Sequence, residues 1–176
     1  FTAGIAYVTR NWARDEHAFI WSDFIDAVKA NWKQALITSV ITGVMPTVVY
    51  VCNAYYGGMV ANNVLFIIPQ VLCWLGGLIW CLMLIYIYPV MVTYDLSYKG
   101  VLRNAALLAI ARLPFSVAVR LGSIIPAAIA CLVIYLLTQY TFVILLVLCA
   151  YYLLIGFGLS RFITASYTNA VFDKYI

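Results

Sequence analysis

The sequence predicts an all-α fold: a polytopic transmembrane helical bundle forming one integral membrane domain over residues 1–176. Three observations predict it. Val64 to Val92 holds no Asp, Glu, Lys, Arg or His, and it exceeds the roughly 20 apolar residues that cross a bilayer. The whole chain is 66% hydrophobic and 9% charged, where soluble domains carry about 25% charged residues. All ten Lys and Arg lie in the stretches 10–33, 99–120 and 161–174, while the connections 57–63 and 138–141 carry no charge. By the positive-inside rule the three basic stretches, and with them the C-terminus, are expected to face the cytoplasm. All six acidic residues lie on that side too, so the outer face is two short turns and any specific chemistry is expected to face inward.

Taken in order, Phe1 to Thr9 is apolar and reads as the tail of an earlier span, so a further N-terminal span is expected beyond the four present. Arg10, Arg14, Asp15, Glu16 and His17 read as a compact charged loop. Ser22 and Asp23 offer a helix cap with an acid at the positive end of the helix dipole. Phe24, Ile25, Val28, Trp32 and Ala35 then fall on one helical face, with Asp23, Asp26, Lys29 and Lys33 on the other. That is an amphipathic helix, read either as an interfacial lead-in or as a docking helix for a partner protein. Ala35 to Tyr56 is the first complete span, about 33 Å long at 1.5 Å per residue. Gly43 and Pro46 suggest a kink or a close helix contact, and Gly57 to Asn63 an uncharged turn. Val64 to Val92 returns. Pro69, Gly76 and Gly77 are its candidates for a helix break, which would form a substrate site if it lined a cavity and serve helix packing otherwise.

Tyr94, Asp95, Ser97, Lys99 and Arg103 form the second charged connection. Asp95 or Ser97 caps a helix expected to run to about Leu113, where Pro114 stops it. Its match to the first lead-in (Ala27, Val28, Asn31 and Ile37 against Gly100, Val101, Asn104 and Ile110) suggests an internal repeat of two halves, each an amphipathic helix plus a hairpin. Phe115 to Leu137 is the third span, Thr138 to Tyr140 a tight turn, and Thr141 to Ser160 the fourth span. Gly156 and Gly158 are expected to admit a close neighbour, and the helix to run on towards Asp173 and Lys174.

Most chemistries find no residues to carry them. One His and scattered acids leave no metal site, and no cofactor is expected. No phosphate-binding loop, dinucleotide fingerprint or nucleophile elbow occurs, so the chain reads as a non-enzyme. The five cysteines sit in apolar segments without a CxxC and read as packing residues. The spans lack Asp and Glu, which argues against proton coupling. Basic residues at membrane boundaries point to the lipid bilayer and not to nucleic acid. Arg112, Arg120 and Arg161 are candidates either for lipid phosphates or for ion pairs with Asp95, Asp173 or a partner's acid. Arg14, Asp15, Glu16, Lys29, Lys33, Asp95, Arg103 and Asp173 are the candidate partner contacts.

Several strings resemble one family. Tyr7 to Phe19, Asp23–Phe24 with Asn31 to Ala35, Tyr88 to Asp95, Lys99 with Arg103 to Ala105, and Phe162 to Ile176 are similar to motifs of the YesL-like integral membrane proteins of Gram-positive bacteria. The matches spread over nearly the whole chain, and none is a catalytic motif. The resemblance implies one more N-terminal span and no defined function. It also implies a genomic neighbourhood with binding-protein-dependent sugar transporters, hence an accessory or regulatory subunit touching the permease and ATPase of a carbohydrate ABC importer. The alternative is a small self-contained transporter or channel, with a homodimer left open. Transport would require Thr38, Thr42, Gln70 and Ser123 to converge on one cavity.

Overall fold

A computed structural model describes residues 1–60 and 63–175. Every regular element among them is helical. In chain order they are α1 (Thr2–Ala13), α2 (Ile20–Val60), a single 3-10 turn (Val64–Phe66), α3 (Ile67–Thr93), α4 (Tyr98–Ala111), α5 (Leu113–Leu136), a second 3-10 turn (Thr138–Tyr140), α6 (Thr141–Tyr151), a π-helical turn (Tyr152–Gly156) and α7 (Phe157–Tyr175). Four stretches are long and apolar enough to cross a membrane: Ile20–Val60, Val64–Thr93, Leu113–Leu136 and Thr138–Asp173. The polytopic helical bundle expected from composition is therefore present.

The expected boundary between lead-in helix and first span is absent. Both belong to α2, which is 41 residues long. Nothing between Trp32 and Ala35 stops a helix: the first glycine within α2 is Gly43 and its first proline Pro46. The helix also continues through Pro46 and on to Val60, consuming most of the expected turn at 57–63; Ala61 and Asn62 of that turn lie outside the described residues. Its start precedes the expected cap. The Phe19 N–H donates to Asp23 Oδ2 (2.9 Å), and Ser22 Oγ donates to the Phe19 carbonyl (3.3 Å). The acid thus secures the helix start from its first turn instead of capping it. The charged loop is likewise shorter than expected, because α1 carries on through Arg10 to Ala13.

Helix α3 is unbroken through Pro69, Gly76 and Gly77, which corrects their reading as a helix break. Pro69 lies in the first turn, where its missing N–H leaves no hydrogen bond unmade. Gly76 faces open space, whereas a Cβ on Gly77 would sit 2.8 Å from Val49 Cγ2 of α2. Gly77 therefore serves close packing of α2 on α3. Helix α4 begins after Ser97, whose Oγ accepts the Gly100 N–H (3.4 Å). It ends at Ala111, slightly before the expected Leu113. Arg112, at φ −116° and ψ 31°, turns the chain, and Pro114 stands at the start of α5, where a proline is tolerated. Pro114 opens the next helix as much as it closes the last. The expected close neighbour at Gly158 is missing, for nothing lies within 4 Å of a Cβ there; at Gly156 the crowding comes from Tyr151 and Tyr152 of the same helix.

The core is concentrated at the charged end. Ala3 and Ala6 of α1, the run Leu82–Met91 of α3 apart from Leu84, Val101, Ala105 and Ala109 of α4, and Val171 and Phe172 of α7 are buried together. Gly4 lets α1 lie directly on α2: a Cβ there would be 2.5 Å from the Phe24 ring and 2.8 Å from the Phe24 carbonyl oxygen. Away from this base the chain forms two arms. Helix α2 packs along α3, and α6 packs on α5 but not appreciably on α2 or α3. Side chains on the arms, such as Val64, Leu65, Leu132, Leu153 and Leu154, are exposed, as apolar side chains facing acyl chains are. Each half therefore ends in a hairpin, but the first lead-in is fused to its span while α4 stays separate.

Candidate functional site

The two arms part above the base, and a cavity of about 600 Å³ occupies the vertex. Spacing explains which side chains reach it. Ser39, Thr42 and Gly43 share one face of α2; Arg120, Ser123 and Ile124 share one face of α5; Ser160, Arg161 and Thr164 share one face of α7. Tyr88 of α3, Thr2 of α1 and Tyr152 of the π-helical turn complete the polar lining. The hydroxyls are largely satisfied within the bundle. Thr42 Oγ1 donates to the Thr38 carbonyl (2.7 Å), Ser123 Oγ to the Val119 carbonyl (3.0 Å) and Thr164 Oγ1 to the Ser160 carbonyl (2.8 Å). Ser160 Oγ donates to Ser123 Oγ (3.4 Å), and the Ser39 and Tyr88 hydroxyls lie 3.5 Å apart.

The arginines are less satisfied. Arg120 Nη2 donates to the Cys81 carbonyl, and the buried Arg120 Nε finds no hydrogen-bond partner among the described residues. The Arg161 guanidinium lies 5.7 Å from the centre of the Tyr88 ring, a cation–π distance. Neither pairs with Asp95 or Asp173: among the described residues the one ion pair joins Arg14 and Asp173 at 3.6 Å. The expected ion pairing of Arg120 and Arg161 is thus not formed, because both side chains turn inward from α5 and α7 while the acids lie on the base. Arg112 sits at the α4–α5 turn, 5.8 Å from the Phe115 ring centre.

Two further cavities are apolar. One of about 590 Å³ lies between α2 and α3 along Met45, Val49 and Leu78, and one of about 480 Å³ between α5 and α6 along Ile129, Val133 and Val147. At the far end of the first, Asn53 Oδ1 accepts from both Gln70 Nε2 (2.8 Å) and Trp74 Nε1 (3.1 Å). Of the four residues that a transport path requires, Thr42 and Ser123 meet in the polar cavity. Thr38 is buried, donating to the Gln34 carbonyl (2.9 Å) with its Oγ1 3.2 Å from Tyr98 Oη. Gln70 is engaged at the far end.

The base carries the predicted partner-contact residues. Asp15, Glu16, Lys29, Lys33, Asp95 and Arg103 are exposed and make no ion pair among the described residues. Asp15 takes φ 54°, a left-handed conformation that Asp tolerates, and the Glu16 N–H donates to the Asn11 carbonyl (2.9 Å) to close the loop after α1. Exposed Phe19, Ile20 and Trp21 follow at once. Arg10 instead turns inward, its Nη1 donating to the Val92 carbonyl and to Thr93 Oγ1 (both 3.3 Å) and tying α1 to the end of α3.

Residues 1–52 match the model of a family described as a protein of unknown function, DUF624. The match covers α1, the charged loop and most of α2, so an uncharacterised family is supported over the part of the chain that builds one wall of the base. No curated protein and no solved structure matches the chain.

Sequence reasoning missed the buried cluster beneath the cavity. Tyr86 Oη lies 2.7 Å from Ser116 Oγ and 3.0 Å from Tyr167 Oη, and Ser116 Oγ donates to the Arg112 carbonyl (2.9 Å). Hydroxyls from three helices meet there, and no local spacing announces it. No group of three or more metal-binding side chains occurs among the described residues, and the five cysteines form no disulfide.

Proposed function

We propose that the protein is a non-catalytic accessory or regulatory membrane subunit that docks through its charged base on the permease or ATPase of a carbohydrate ABC importer. The base faces the cytoplasm in this reading, as the distribution of Lys and Arg implies. The observation that carries the docking is the state of the base: an exposed apolar step at Phe19–Trp21, and six exposed charged side chains without an ion partner among the described residues. Mixed charge around an aromatic anchor suits a protein interface. The importer comes from the resemblance in the charged stretches, which is a matter of motif and not of geometry. The test is charge reversal. Lys29→Glu with Lys33→Glu, or Arg103→Glu, should weaken co-purification of the partner complex, and undiminished co-purification of both variants sinks the reading.

A second reading, a small self-contained transporter or channel, draws support from the polar cavity where Thr42 and Ser123 meet. It ranks below the first because Thr38 and Gln70 lie elsewhere and α3 offers no break.

A further inference from the structure

We infer that Arg120 and Arg161 form an anion site inside the bundle, taking a phosphate or similar oxyanion that is carried on a lipid headgroup or free in the cytoplasm. The inference is independent of any partner complex.

Depth is the first argument. Arg120 stands seven residues into α5, about 10 Å along the axis, and its guanidinium reaches the Cys81 carbonyl, about 18 Å along α3 from Thr93. At such depth a cation that merely seeks the interface would extend the other way, towards headgroups. Charge is the second. Both guanidinium groups line one cavity, yet no carboxylate lines that cavity and neither arginine has an ion partner among the described residues. Two like charges in a low-dielectric setting without a counter-charge are strongly unfavourable, and an anion between them removes the penalty for both. Donor supply is the third. The buried Arg120 Nε is unpartnered, and Arg161 spends its guanidinium on a ring face, leaving its N–H groups for a ligand. Ser39, whose hydroxyl lies a long 3.5 Å from that of Tyr88, adds a further donor, and about 600 Å³ is ample for a phosphate group.

The test uses the full chain in a maltoside detergent, stripped of lipid and phosphate, with its Tm read after adding phosphatidylglycerol, diacylglycerol or inorganic phosphate. Phosphatidylglycerol or phosphate at a hundredfold excess over its dissociation constant should raise Tm by about 5 °C or more. A rise with phosphatidylglycerol but not with diacylglycerol or phosphate assigns a lipid headgroup; a rise with inorganic phosphate assigns a soluble anion. Arg120→Gln and Arg161→Gln should each abolish that rise, while Arg103→Gln on the base should keep it. Each variant's response is read against its own anion-free Tm, because Arg120→Gln also loses the hydrogen bond to the Cys81 carbonyl and Arg161→Gln the contact with the Tyr88 ring. A parent that responds alike to phosphatidylglycerol and diacylglycerol and ignores phosphate overturns the inference, as do cavity variants that retain the full response.

Discussion

Gly4→Ala should destabilise the protein out of proportion to one added methyl group. Gly4 is where α1 crosses α2, and the new Cβ would stand 2.8 Å from the Phe24 carbonyl oxygen and 2.5 Å from its ring. The ring can swing, but the carbonyl belongs to a helix backbone, so α1 must move off α2 by about half an ångström to restore an ordinary contact. That shift loosens Ala3 and Ala6, both buried against the core. Overpacking of this kind costs about 1–3 kcal/mol, which in a chain of this size lowers Tm by roughly 2–12 °C. Gly158→Ala is the internal control, since nothing lies within 4 Å of its added Cβ and alanine gains up to about 1 kcal/mol of helix propensity over glycine. Thermal unfolding of both variants in one detergent decides the matter. If Gly4→Ala melts as high as Gly158→Ala, the α1–α2 contact is not as described, and the base is not built on it.

Three other outcomes are expected. Tyr86→Phe removes the hydroxyl between Ser116 and Tyr167 and should cost about 1–3 kcal/mol, visible as a lower Tm; an unchanged Tm would mean the hydroxyl is not bonded there. Asn53→Ala releases Gln70 and Trp74 together and should speed hydrogen exchange at the far ends of α2 and α3 while leaving the base unaffected. Swapping the charges of Arg14 and Asp173 should change stability by under about 1 kcal/mol, because Asp173 is exposed and the pair sits at 3.6 Å; a larger loss would show that the pair holds α1 to α7.

The architecture was legible where composition alone decides it. Val64 to Val92, without a charge, is long and apolar enough to cross a membrane, and the helix that contains it is one of four such stretches. Boundaries were less legible, for a physical reason: a helix ends where something stops it. Trp32 to Ala35 contains no stop, so lead-in and span fused in α2, while Arg112 and Pro114 did part α4 from α5. Pro69, Gly76 and Gly77 look like breakers, but a proline in a first turn breaks nothing and a glycine against Val49 is a packing device. The site was legible as residues but not as a place. Arg120 and Arg161 stand out in the sequence because they border apolar spans. Their meeting across one cavity depends on how α5 and α7 rotate about α3, which no local pattern encodes. Gly4 and the Tyr86 cluster were missed for the same reason, since each is defined by a neighbour distant in the chain.

The base is proposed to dock on a transport complex. Extraction of the protein from its native membranes in mild detergent, with co-purifying chains identified and counted by mass spectrometry, tests it most directly. Docking predicts permease and ATPase subunits of a carbohydrate importer in fixed stoichiometry with this chain. A lone monomer or homodimer would contradict it and turn attention to transport through the polar cavity.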